Sequence, residues 1–260
     1  MTCKNCYKAL KESQNFCDDC GAKVIRNRLT PKVLATQVNE QFISIDNKFL
    51  RTFIDLFKRP EKVIDGYVNG MRKGYIDALQ YFAISLTFAA VQVFLMTTFF
   101  KEALEIDSEF LTKLSQAPGN ENNPFINQDF ESTSNYQGLI YIFTLPLSAF
   151  STWFAYYIVR DRRYNFTEHF VLNIYFSAQT IIVIAIISIV FLFFGINYLL
   201  ASMILTLPMF IYLWFVLHRV FRDVFWDSFA KFILTMVIYT IIFGAIAILI
   251  AIIGALISLL

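Results

Sequence analysis

The sequence predicts an all-α membrane protein: five transmembrane helices, with the N-terminus inside and the C-terminus outside, preceded by a small cysteine-bearing module. Three observations lead there. Hydrophobic residues make up 57% of the chain and charged residues only 16%, a balance that suits a polytopic membrane protein. Five apolar runs are each long enough, at about 20 residues, to cross a bilayer as a helix. All four cysteines stand ahead of the first of these runs.

The cysteine module occupies residues 1–25 and holds Cys3-x2-Cys6 and Cys17-x2-Cys20-Gly21. Each C-x-x-C can form a tight knuckle that aims two thiolates at one ion. Two knuckles make the tetrahedral four-thiolate site that zinc takes in a structural role. Gly21 supplies the permissive backbone often needed just past the second thiolate. Two disulfides would require an oxidising compartment. A redox pair would require a thioredoxin-like fold, for which too few residues are at hand. The expected metal ligands are therefore Cys3, Cys6, Cys17 and Cys20, and the expected cofactor is a structural Zn2+. About twenty residues bury too little surface to fold alone, so metal would hold this ribbon together.

Residues 26–74 read as cytosolic amphipathic juxtamembrane helices. Thr30-Pro31 is a helix start, with Thr at the N-cap and Pro in the first turn. Phe42, Ile45, Phe49, Phe53 and Leu56 recur at helical spacing and share one face, while Lys48, Arg51 and Lys58 fall off it. That stripe suits either a helix lying in the membrane interface or one packed on the protein's own bundle. Arg59-Pro60 ends it, and Pro60 is placed to start a second helix through Val63, Ile64, Tyr67 and Val68.

Residues 75–260 carry the spans, expected at about 78–100, 138–159, 170–194, 196–217 and 232–260, with a polar, acidic extracytoplasmic loop over 101–137. Only Gly195-Ile196-Asn197 divides the third from the fourth. One helix over both would reach about 72 Å, so a tight hairpin is expected. Charge sets the orientation. Residues 1–74 hold 14 of the 22 Lys and Arg, and the loops containing Arg160, Arg162 and Arg163 and Arg219, Arg222 and Lys231 are basic. The loop over 101–137 holds two Lys against seven acids. Basic loops stay inside, which gives N-in and C-out. The first long apolar run begins only near residue 76 and no apolar stretch precedes Cys3, so neither a secretory signal peptide nor lipoprotein processing at Cys3 is expected.

Thr144-Leu145-Pro146 recurs as Thr206-Leu207-Pro208, 62 residues later. At the same offset Arg160-Asp161 matches Arg222-Asp223, and Phe170-Val171-Leu172 matches Phe232-Ile233-Leu234. This is either a parallel duplication of a helical hairpin or coincidence in a low-complexity apolar sequence.

No Asp, Glu, Lys, Arg or His lies deep in any expected span, which counts against an ion-coupled transporter. Gln92 and Gln179 suit interhelical hydrogen bonding. Glu168-His169 reads as the cap of the third span, because adjacent residues on a helix point about 100° apart and do not form an acid–base pair. There is no His-Glu-x-x-His, nucleophile elbow or Gly-rich phosphate loop, so no enzyme is expected. The candidate functional cluster on the basic face is Arg59, Arg72, Arg160, Asp161, Glu168, His169, Arg222 and Asp223. Ala247, Ala251 and Ala255 give the last span a small-residue packing face, within the chain or between copies in a homo-oligomer.

"CKNC…NFCDDCG", "FLRTFIDLFKRPEKVIDGYVNGMRKGYI" and "NFTEHFVLNIYFSA" together resemble the bacterial membrane-protein family known as domain of unknown function 3667. Its pattern falls on Thr52, Asp55, Leu56, Arg59, Pro60, Gly70, Arg72, Tyr75, Glu168 and His169, and Ala22 stands where its ribbon usually has Gln. The layout is also similar to Yip1-type five-span proteins. These resemblances imply a multi-pass protein of the bacterial cytoplasmic membrane with a cytosolic N-terminus, and they bring no activity. The expected function is that of a non-enzymatic scaffold or interaction protein. Its partners would be the lipid bilayer and a cytosolic protein docked on the ribbon. Nucleic acid is disfavoured, because no run of basic and aromatic residues adjoins the ribbon. The alternative is a small permease or lipid-handling protein with a cavity between the two hairpins.

Overall fold

The computed structural model describes residues 2–24, 30, 48–71, 73–100, 136–196 and 198–258. The chain forms two compact units, Met1–Asp46 and Asn47–Leu260.

In the first unit the described residues form neither helix nor strand, only two isolated antiparallel bridges, Thr2 with Ala9 and Phe16 with Lys23. Its interior is Cys3, Leu10 and Cys17, with Cys6, Ala22 and Val24 packed against them. Half of those side chains are the cysteines themselves, far too little apolar burial for independent stability.

The second unit holds seven helices among its described residues: α1 over 48–58, α2 Pro60–Val68, α3 Ala78–Phe99, α4 Gln137–Ile158, α5 Phe166–Phe193, α6 Tyr198–Phe221 and α7 Phe225–Ser258. The five from α3 to α7 are long and apolar enough to cross a membrane. Helix α5 starts at Phe166, ahead of its apolar run, because a capping box nucleates it. Asn165 Oδ1 accepts from the Glu168 amide at 3.0 Å while the Asn165 amide donates to Glu168 Oε2 at 2.7 Å. That arrangement satisfies two otherwise orphaned N–H groups. Glu168 is therefore a cap.

Helix α5 is the hub, packed against α3, α4 and α6, while α7 closes on α4 and α6. Leu172, Tyr175, Ala178, Ile182 and Ala185 are fully buried on it, as are Ala149 and Ala155 on α4. Small residues let helices approach closely, which matters in a bilayer where lipid tails are as apolar as leucine. Leu79, Phe94, Phe143, Leu207 and Ile241 face outward, as lipid-exposed positions should.

Helix α1 packs on the bundle. Thr52, Asp55 and Leu56 are buried, the Phe49 ring lies 5.8 Å from Tyr81 and 6.3 Å from Phe88, and Phe57 lies 5.4 Å from Tyr212. Side chains from the spans take up its backbone carbonyls: Gln179 Nε2 donates to Phe53 O at 3.1 Å and Tyr212 Oη to Leu56 O at 3.1 Å. Tyr81 Oη in turn donates to Gln179 Oε1. Gln179 thus bonds elements together, as its place in an apolar span suggests. Of the two settings its Phe stripe allowed, the structure shows packing on the bundle, while Leu50 and Ile54 remain exposed. Phe42 and Ile45 lie outside the described residues.

Candidate functional site

The four cysteine sulfurs lie within 4.8 Å of one another. Cys3 Sγ is 3.6 Å from Cys20 Sγ, and Cys6 Sγ is 3.6 Å from Cys17 Sγ. A disulfide would need about 2.05 Å, whereas a tetrahedral ion with 2.3 Å metal–sulfur bonds sets its sulfurs about 3.8 Å apart. The donor set therefore fits one metal ion. Two like knuckles build it, 14 residues apart in sequence. The Cys3 amide donates to Lys8 O at 2.8 Å and the Cys17 amide to Ala22 O at 2.9 Å. The Tyr7 amide donates to Cys3 O at 2.9 Å and the Gly21 amide to Cys17 O at 3.0 Å.

Both knuckles turn through a left-handed residue, Gly21 at φ 70° and Tyr7 at φ 62°. Glycine does this freely. A tyrosine there costs about 1–2 kcal/mol. No burial offsets that cost, since Tyr7 is 80% exposed; Phe16 is 59% exposed beside the second knuckle. The electrostatics are uneven as well. The Asn5 side chain and the Ala22 amide pull the Cys20 thiol down to about 6. The Lys8 amide also favours the Cys6 thiolate, but Cys20, burial and Cys17 outweigh it and push that thiol up to about 12. Thiols ligate a metal as thiolates, so metal capture by this set releases protons.

In the second unit, charged residues gather at one end of the bundle, in three separate constellations. The first links α1 to the α2–α3 connection. Asp55, buried on α1, accepts from Arg59 Nε at 2.9 Å, Arg59 Nη2 at 3.3 Å and Tyr75 Oη at 2.8 Å. Thr52 Oγ1 accepts the Ile76 amide at 3.1 Å, and Tyr175 Oη donates to Ile76 O at 2.7 Å. Burial alone would raise the Asp55 carboxyl, but the bonds from Arg59 and Tyr75 hold it below the usual carboxylate range.

The second constellation is a tetrad joining the α4–α5 turn to the α6–α7 turn and the start of α7. Lys231 Nζ contacts Asp161 Oδ2 at 2.6 Å and Asp223 Oδ2 at 2.7 Å. Arg163 Nη2 contacts Asp223 Oδ1 at 2.5 Å and also pairs with Asp161. Arg163 further donates to Phe221 O, closing the end of α6. The Arg163 guanidinium and then Lys231 hold the Asp161 carboxyl far below its ordinary value, against the opposing effect of burial. Two cations thus neutralise two nearly buried carboxylates. The third constellation ties α2 to α6: Arg219 grips Glu61 at 2.6 and 3.1 Å, and Arg222 reaches Asp65 at 3.3 Å, with Tyr164 donating to the same carboxylate.

The residues expected to form one cluster are therefore divided. Asp161 and Asp223 meet in the tetrad, and His169 lies just beneath it, its ring 5.3 Å from Tyr156. Arg59 belongs to the Asp55 group, Arg222 to the α2–α6 contacts, and Glu168 to the cap. Arg160 is exposed at φ 60°, and Arg72 lies outside the described residues. Sequence reasoning missed Lys231, Arg163 and Tyr156 as site members. One signal was present: at the 62-residue offset His169 aligns with Lys231. On α7, the side chains at 250, 251 and 253–258 lie outside the described residues, which include two of the three alanines of the packing stripe.

Residues 46–90 match a family model described as a protein of unknown function, DUF3667, to which the chain is similar over that stretch. The match covers Thr52, Asp55, Arg59 and Tyr75, the residues that fasten α1 to the start of α3. No curated protein and no solved structure matches the chain.

Proposed function

We propose that this is a non-enzymatic membrane scaffold whose N-terminal zinc ribbon docks a cytosolic protein. Tyr7 carries the reading. The ribbon builds the same knuckle twice, and where the second uses glycine the first holds a tyrosine in the left-handed region, fully displayed. Strain kept without a packing return marks a residue held for contact with something else, and exposed tyrosine is a favoured anchor at interfaces. Zinc is the metal that an all-thiolate tetrahedral set favours in a structural role. The excess of Lys and Arg before residue 75 and over residues 160–169 and 218–231 supports a cytosolic N-terminus.

The test is quantitative affinity capture from native membranes, with metal content measured on the same samples, for wild type, Tyr7→Gly and the double variant Cys17→Ser, Cys20→Ser. Tyr7→Gly relieves strain and is expected to keep its metal while losing a defined partner. The cysteine variant is expected to lose both. A partner set unchanged in both variants would move docking off the ribbon and overturn the proposal.

A further inference from the structure

On α4, Thr144, Ser148, Thr152 and Tyr156 follow at four-residue spacing, and on α5 His169, Asn173, Ser177 and Thr180 follow at four and three. Such spacing sets each group on one helix face. The faces meet. Ser148 Oγ donates to Asn173 Oδ1 at 2.6 Å, and Asn173 Nδ2 donates to Thr152 Oγ1 and His169 O, both at 2.8 Å. A hydrogen-bonded pair or two would suffice to hold helices together, yet this stripe continues and part of it is unused. Among the described residues, Tyr156 Oη and both ring nitrogens of His169 find no hydrogen-bond partner, although both side chains are fully buried. A buried polar atom without a partner costs about 1–3 kcal/mol, and in a native fold it points to a water or ligand that completes it.

The stripe has two ends. Toward the middle of the bundle it opens on a groove of about 240 Å³ between α4, α5, α6 and α7, where Thr144, Ser148, Ser177 and Thr180 face Met209 and Met236. At the other end Lys231 Nζ sits 5.0 Å over the Tyr156 ring, within the tetrad. That tetrad is the seam between two like hairpins. Each has a helix with an internal proline, Pro146 or Pro208, and ends on a left-handed arginine, Arg160 or Arg222. The next residue in each is the paired carboxylate, Asp161 or Asp223.

We propose that the stripe is the binding path of an uncharged, hydroxyl-bearing molecule, closed at the charged end by the Asp161–Arg163–Asp223–Lys231 tetrad. The molecule's polar head seats among Tyr156, Thr152, Asn173 and His169. Hydroxyl, amide and imidazole groups without a formal charge select a neutral hydrogen-bonding head, since a charge buried there would find no counterion within the stripe. The head comes either from a free polyol or from a diacylglycerol-type lipid whose chains occupy the groove.

All native cysteines lie in residues 3–20, so an introduced thiol can be followed at the peptide level. Thr152→Cys in the full chain, held in lipid nanodiscs, would be treated with methyl methanethiosulfonate, which is small and uncharged, with intact acids or with Asp161→Asn and Asp223→Asn. Opening the tetrad is expected to speed modification about tenfold, the factor that 1.4 kcal/mol carries. Ala185→Cys, buried on α5 outside the stripe, is expected to stay unmodified in both backgrounds. Protection of Thr152→Cys by glycerol identifies a free polyol, and protection by dioctanoylglycerol alone identifies a lipid. Modification no faster than at Ala185→Cys, equal modification of both, or protection by neither probe would overturn the proposal. Should Thr152→Cys fail to accumulate, Ser228→Cys, buried one turn before Lys231, reads the mouth of the path by the same criteria.

Discussion

The Asp55 group gives the family-matched stretch a measurable role, which is to hold α1 on the bundle. Tyr75→Phe deletes one of three hydrogen bonds on the Asp55 carboxylate and leaves Arg59 in place at 2.9 and 3.3 Å. A hydrogen bond to a charged group contributes about 1.5–3 kcal/mol. With Arg59 still neutralising the charge, the lower end applies, about 1.5 kcal/mol, or roughly tenfold in a local opening equilibrium. Asp55→Asn loses the ionic partner too, and about 2–3 kcal/mol, or thirtyfold and more, is expected because Arg59 is only half-buried and can be resolvated. Native-state hydrogen exchange over residues 48–58 in nanodiscs reads this directly, with the buried centre of α5 as the internal reference. The expected pattern is lost protection in α1 with α5 unchanged. Unchanged α1 protection in both variants, or equal loss in α5, would refute the reasoning. The pH dependence has a definite sign. A carboxylate whose folded value is depressed contributes fully above its unfolded value, about 3.9, and that contribution is lost as pH falls through the lower folded value. Wild-type protection of α1 is expected to be flat from pH 7 to about 5 and to collapse only below about 4.

The remaining expectations separate buried from exposed electrostatics and test the knuckle geometry. Lys231→Gln leaves two nearly buried carboxylates with Arg163 alone, so a loss of about 3 kcal/mol is expected in unfolding free energy, insensitive to added salt. Arg219→Gln removes a pair whose arginine is 43% exposed, and a loss under about 1 kcal/mol that shrinks with salt is expected in the same assay. Gly21→Ala meets no steric contact but imposes a side chain at φ +70°. It is expected to cost about 1–2 kcal/mol and to weaken metal retention in chelator competition. Because cysteine binds metal as the thiolate and protons compete for it, metal is expected to leave on acidification, which a pH titration of metal content would show.

The spans were legible because hydropathy alone separates 20 apolar residues from everything else. The cysteine cluster was legible because C-x-x-C spacing leaves few other geometries. The seat of α1 was not, since a stripe of Phe49, Phe53 and Leu56 serves a lipid surface and a protein surface equally well. What fixed it were bonds from Gln179 and Tyr212, far along the chain, to α1 carbonyls. The tetrad escaped for a similar reason. Arg163 and Lys231 look like ordinary positive charges at span ends until folding brings the two turns together. Tyr7 escaped because a backbone angle, not a residue type, sets it apart.

The most direct test of the account is the metal content of the full-length protein, purified without chelator, by inductively coupled plasma mass spectrometry. A single zinc ion per chain is expected in wild type and in Tyr7→Gly, falling to none in Cys17→Ser, Cys20→Ser. A wild-type protein that carries no metal while its first unit still resists proteolysis would contradict a metal-built docking module.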